Sequence, residues 1–149
     1  MRIELTRRGD YAVRAMLALA AAPGTVISAR RIAEQMAIPV RFVPHVMTDL
    51  GAAGLVTARA GRTGGYRLAR PAGEIHLLDV IEAVEPDSRR RACVLRGGPC
   101  GADGYCAVHR VFAQAQEALL QPLAAATLAD VPLSTVGGGP LIYPARTEA

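Results

Sequence analysis

The stretch that decides the fold runs Ser28-Ala29-Arg30-Arg31-Ile32-Ala33-Glu34-Gln35-Met36-Ala37-Ile38-Pro39-Val40-Arg41-Phe42-Val43-Pro44-His45-Val46-Met47-Thr48-Asp49-Leu50. Ser28 is a good N-cap, and Ile32 and Ala33 turn to one side, which predicts a short helix over Ala29–Met36. Ile38-Pro39 breaks it, and a further helix runs to about Leu50 with Gly51 near its C-terminus. Two short helices joined by a turn of three or four residues make a helix-turn-helix. Pro44 is tolerable early in the second helix only if its missing N–H falls among the first unpaired donors. The helix therefore starts no earlier than about Val40 or Arg41, or it kinks.

Working outward, Thr6 caps a first helix whose apolar positions Tyr11, Ala12, Ala15, Met16 and Leu19 recur at helical spacing. That helix ends before the turn signal Pro23-Gly24. On the other side, Leu55–Arg59 and Tyr66–Leu68 are strand-like runs flanking the Gly- and Arg-bearing tip Ala60–Gly65. A helix-turn-helix followed by such a hairpin is a winged helix. A short helix is expected around Leu77–Val84, an irregular loop over about 85–104, and a long helix over about 105–125. Val108, Phe112, Ala115 and Leu119 stripe that helix at spacings of four, three and four, with Val111 and Leu123 beside them. The stripe packs either on its own domain or, as a one-sided helix in so small a chain suggests, against a second copy. Thr127–Val131 adds a last turn, and 132–149 is a Gly/Pro-rich flexible tail. The expected fold is thus mainly α with a small β-hairpin wing: a winged helix-turn-helix plus a long dimerisation helix, in one domain over 1–131.

At 149 residues the chain suits one domain, and 51% hydrophobic against 20% charged residues marks globular material. The apolar stretch Ala15–Ala29 is broken by Pro23 and Gly24 and is too short to span a bilayer, and nothing resembles a secretory signal. A cytoplasmic protein with no membrane partner is expected. Charge is unevenly spread. Residues 1–70 carry eleven arginines against Glu4, Asp10, Glu34 and Asp49, while 71–149 carry six against nine acids. The chain has no lysine. A basic N-terminal half suits a module that meets an anionic polymer at one end.

Arg41, His45 and Thr48 follow spacings of four and three and so share one helix face, where donors and acceptors can reach base edges in a major groove. Arg30 and Arg31 on the preceding helix, with Thr6 and Arg7 at the first helix's start, suit phosphates. Arg59, Arg62 and Arg67 surround the hairpin tip, where arginine enters a narrow minor groove, and Gly64, Gly65 and Tyr66 of the wing belong to the same DNA-binding set. Taken singly, each is an ordinary surface residue; their concentration on one module points to double-stranded DNA.

Cys93-x6-Cys100-x5-Cys106, then x2 and His109, is the second constellation. Thiolates are soft ligands preferred by iron–sulfur clusters and zinc. Structural zinc usually shows CxxC knuckles, and none is present. A fourth ligand is offered by His109, one helical turn past Cys106, or by Asp10, if the first helix, of this or a second subunit, meets the loop. Arg89, Arg90, Arg91 and Arg96 would offset cluster charge. A same-fold regulator without a cluster, switching by thiol oxidation or through a partner protein, is the alternative. No nucleophile–base pair, phosphate loop or glycine fingerprint supports catalysis or a small-molecule substrate.

Leu5-Thr6-x-x-Gly9-Asp10-Tyr11-Ala12-Val13-Arg14, the wing Gly64-Gly65-Tyr66-Arg67-Leu68 and the loop ending Cys106-x-x-His109 together resemble the IscR/NsrR/RirA-type regulators, the Rrf-two family, over roughly 1–131. The resemblance implies a homodimeric winged-helix repressor or activator whose long helix crosses its partner. Its DNA binding would respond to cluster loss, nitric oxide, oxygen or iron supply. By position, Cys93, Cys100 and Cys106 match the cluster cysteines. His109 matches the fourth ligand of the IscR-like branch, which holds a 2Fe-2S cluster. Asp10 matches the aspartate ligand of the NsrR-like branch, which holds a 4Fe-4S cluster. Two departures stand out: the first Cys spacing is one residue longer, and Pro44 replaces an acidic base-discriminating residue.

Overall fold

The computed structural model describes residues 4–85, 93–95, 100 and 104–131. Helix α1 (Arg7–Ala20) starts where Thr6 accepts a hydrogen bond from the Gly9 N–H at 3.1 Å. Helix α2 (Ala29–Met36) is capped by Ser28, whose hydroxyl accepts from the Arg31 N–H. It closes on Ala37, which adopts the left-handed conformation at φ 52°.

After Ile38-Pro39 the chain makes a 3-10 turn over Val40–Phe42 and then enters α3 (Val43–Ala52). Pro44 therefore sits within the first two helical positions, where no N–H is missed. The 3-10 turn absorbs the chain reversal, and α3 needs no kink.

The wing is a two-stranded antiparallel hairpin, β1 (Val56–Arg59) and β2 (Gly65–Leu68), in the register Val56↔Leu68 to Arg59↔Gly65. Ile27, just before α2, pairs with Tyr66 through two backbone hydrogen bonds of 2.8 and 2.9 Å. This isolated bridge on the outer side of β2, which the sequence pattern does not signal, ties the wing to the entry of the helix-turn-helix. Gly65 is required there, because a side chain would run into the Ile27 carbonyl.

Helix α4 (Leu77–Val84) and helix α5 (His109–Ala125) are the remaining α-helices among the described residues. The core joins Met16 and Leu19 of α1, Ile32 of α2, Leu50 of α3 and Val80 of α4 with Leu55 and Ile75 from the connections. Leu128, from a 3-10 turn after α5, returns into this core and is 2% exposed. Leu77 and Leu128 N–H groups donate to Ala126 and Ile75 carbonyls, bolting the end of α5 to the start of α4.

Helix α5 begins four residues later than its periodicity suggests, and the reason is local. The Cys106 amide donates to the Cys100 sulfur rather than into a helix, and Cys106–Val108 form a turn whose first carbonyl accepts from His109 N–H. No residue of α5 is buried, and Val111, Phe112 and Leu119 are exposed at 62%, 37% and 38%. The stripe does not pack on its own domain. The expected tail, 132–149, and most of the expected loop, 85–104, lie outside the described residues. Among the described residues no helix is long and apolar enough to cross a membrane.

Candidate nucleic-acid interface and cysteine pocket

On α3 and the turn before it, Arg41, His45 and Thr48 are all exposed, while Val43, Val46, Met47 and Leu50 are buried. The inward set fixes the helix on the core and leaves the polar set projecting. Arg41 lies over the Phe42 ring at 5.0 Å, and the Thr48 hydroxyl donates to the Pro44 carbonyl at 2.9 Å, leaving its oxygen lone pairs outward. Between α1 and α3 a cavity of about 380 Å³ is lined by Arg7, Arg8, Tyr11, Phe42, His45 and Val46. Arg8 also pairs with Asp49 across the two helices, a link that sequence reading missed.

The remaining DNA-facing expectations divide. Arg30 and Arg31 are exposed on α2, with Arg30 in an i,i+4 pair with Glu34 at 3.1 Å. Arg59, Arg62 and Arg67 are exposed around the wing, where Arg67 donates to Thr57 at 3.3 Å. Tyr66, Gly64 and Gly65 are half-buried, and the two glycines are accounted for by close backbone approach. Thr6 is already committed: its hydroxyl caps α1 and donates to Glu85.

At the other end, the Sγ atoms of Cys93, Cys100 and Cys106 all lie within 4.8 Å of one another. Cys93 Sγ and Cys106 Sγ are 3.9 Å apart, and His109 Nδ1 is 3.6 Å from Cys100 Sγ. Tyr105 stacks on the His109 ring at 4.1 Å between centroids and 26° between planes. Asp10 is not in this group; it holds Arg14 at 2.9 Å on α1. Arg89, Arg90, Arg91 and Arg96 lie outside the described residues.

The pocket treats its thiols unequally. A hydrogen bond from the Leu95 backbone pulls the Cys93 thiol below its ordinary value, against partial desolvation and with help from the other two cysteines. At Cys100 the Cys106 amide also favours the thiolate, but desolvation and the neighbouring sulfurs outweigh it and leave this thiol raised. Three thiols and an imidazole are a soft donor set, which fits iron–sulfur or zinc chemistry.

A helix-turn-helix with a wing, three gathered cysteines and an unburied amphipathic helix define a winged-helix regulator. The chain belongs to the Rrf2 family, described as iron-dependent transcriptional regulator, whose model matches residues 5–132. The HTH-type transcriptional regulator Rv1287 of Mycobacterium tuberculosis is 40% identical over 84 residues, covering 56% of this chain and 52% of that protein. The chain thus spans about half the length of the curated relatives it matches. Among solved structures it is similar to CymR, the global cysteine regulator of B. subtilis, with TM-score 0.73, 25% identity, and 87% and 95% of the two chains covered. It is likewise similar to IscR of T. potens, with TM-score 0.70, 26% identity, and 86% and 85% covered. The oxidized form of Staphylococcus aureus CymR gives 0.69, 26%, and 86% and 94%. The family and these relatives are transcriptional regulators rather than enzymes.

Proposed function

We infer that this chain is a DNA-binding transcriptional regulator, of the repressor kind, that works as a homodimer in the cytoplasm and senses through an iron–sulfur cluster held by its cysteines. The observation that carries the reading is the gathering of three sulfurs and His109 at the start of α5, the helix whose apolar stripe its own domain leaves uncovered. Cys93, Cys100 and Cys106 supply the thiolates, and His109, rather than Asp10, is the fourth donor within reach in the same chain. A bound cluster supplies a centre that oxygen, nitric oxide or iron shortage can alter.

The residues of the chain do the rest. Val108, Phe112 and Leu119 offer a second copy an apolar strip. One end of α5 starts in the pocket and the other is pinned to α4, so a change at His109 bears on the helix that would pair two reading heads. Arg41, His45 and Thr48 then face base edges, and Arg30, Arg31 and the wing arginines face phosphates or the minor groove.

The test is anaerobic purification with iron and sulfide counts, followed by binding to duplexes selected from a random pool. A coloured protein whose absorbance and DNA response are both lost in Cys100→Ala is the expected result. Colourless, iron-free protein that reconstitution cannot load removes the cluster. One observation favours a second reading: Cys93 and Cys106 sulfurs stand 3.9 Å apart, so a switch by thiol oxidation would join this pair.

A further inference from the structure

We propose that, when no cluster is assembled, Cys93, Cys100, Cys106 and His109 close on a single tetrahedral divalent ion of the zinc class. The proposal rests on reading this pocket as a metal site, and it names a second, competing occupant. Bonds of about 2.3 Å to sulfur and 2.0–2.1 Å to imidazole nitrogen, at tetrahedral angles, put two sulfurs about 3.8 Å apart and a sulfur and nitrogen about 3.6 Å apart. The pocket holds Cys93 Sγ and Cys106 Sγ at 3.9 Å and Cys100 Sγ and His109 Nδ1 at 3.6 Å. The three sulfurs are mutually within 4.8 Å, so a shift of about 1 Å brings them to tetrahedral spacing, and His109, already at that spacing from Cys100, would swing toward the other two. In a cluster only thiolates on one iron have that spacing, and thiolates on different irons stand further apart.

The local structure supports the same four donors. Cys106 and His109 are three residues apart across the turn that opens α5, which brings both side chains to one side. In this proposal the Cys-x-x-His turn does the work of the missing CxxC knuckle. The Cys106 N–H donates to Cys100 Sγ, as an outer-shell bond to a metal-bound thiolate does, and Tyr105 stacks on the His109 ring whose Nδ1 faces that sulfur. Soft thiolates prefer zinc, and zinc outranks ferrous iron in the general affinity order. One ion and one cluster would share every ligand, so each excludes the other and the regulator would read the balance of zinc and iron.

The experiment titrates reduced, metal-free, full-length protein with cobalt(II) under anaerobic conditions, then displaces it with zinc(II). Expected are one cobalt per chain, intense visible d–d bands of tetrahedral geometry, and thiolate-to-cobalt charge transfer that one equivalent of zinc abolishes. His109→Ala should weaken cobalt binding by about tenfold or more and change the bands, while Asp10→Ala leaves them alone. His109→Cys should restore tight binding with bands moved to an all-sulfur field, which separates lost ligation from lost folding. Weak octahedral bands, several ions per chain, or a spectrum indifferent to His109→Ala would overturn the proposal. Iron and sulfide loading of the same sample is scored separately. A cluster without cobalt bands sinks the single-ion site alone, and cobalt bands without a cluster sink the cluster alone.

Discussion

The carboxylate of Glu85 accepts hydrogen bonds from both the backbone N–H and the hydroxyl of Thr6, 79 residues earlier in the chain. Thr6 caps the start of α1 and Glu85 closes α4, so this contact joins the N-terminus of α1 to the C-terminus of α4. It also explains Gly9: a methyl group there would collide with the same Glu85 oxygen. Glu85→Ala should lower stability by about 1 kcal/mol, the scale of a partly exposed charge-assisted bond, read as a fall in the urea midpoint. Gly9→Ala alone should also destabilise, but the double variant should cost less than the two singles added together. Strict additivity would mean that the carboxylate and the glycine do not share this site.

Ala37 offers a gain. It closes α2 at φ 52°, a conformation that costs an L-residue with a Cβ about 1 kcal/mol and costs glycine little. Ala37→Gly is therefore expected to raise stability by about 0.5–1 kcal/mol, offset in part by the freer unfolded chain. A thermal or urea midpoint that falls instead would show that the turn between α2 and α3 is held by something other than backbone conformation.

Much of this fold was legible because its cues are local. Ser28, Thr6 and Pro23-Gly24 fix helix ends through caps and turns, so α1, α2 and α4 fall where spacing puts them, and Pro44 correctly dated the start of α3. The start of α5 was not legible, since the Cys106 amide turns to a sulfur that lies six residues back in a loop without periodicity. Contacts between distant segments left no pattern either: the Ile27–Tyr66 rung, the Arg8–Asp49 pair and Glu85 on Thr6 each need the tertiary fold first. At the pocket, cysteine spacing announced which residues gather, but that His109 stands beside Cys100 while Asp10 pairs with Arg14 needed the distances.

Asp130 carries a pH-dependent share of stability. Its carboxyl is held below the ordinary aspartate value chiefly by the Thr127 N–H, then by the Thr127 hydroxyl, with a smaller contribution from His76. A native pKa below the unfolded one means the contribution is fully present above the unfolded value and is lost as pH falls through the native one. Asp130→Asn should therefore destabilise at neutral pH, and its gap from the wild type should shrink on acidification through the carboxylate range. The gap is measured by urea unfolding across that range. A gap that widens toward acid would contradict the assigned direction.

Arg41 and Arg62 should fail in different ways. Arg41 projects from the turn that leads into α3, whose buried face is packed by Val43, Val46 and Leu50, so truncating it removes a reading group without touching the core. Arg41→Ala is expected to cost about 1–3 kcal/mol on a selected duplex and to relax preference at one base position, with the unfolding midpoint unchanged. Arg62 stands exposed at the wing tip. Its loss should weaken selected and unselected duplexes to a similar extent and lower the salt slope by about one. Fluorescence anisotropy across a salt series, with both duplex types and both variants, separates the two roles. If Arg41→Ala weakened every sequence equally, Arg41 would be gripping the backbone, and base reading would have to come from His45 and Thr48 or from the wing.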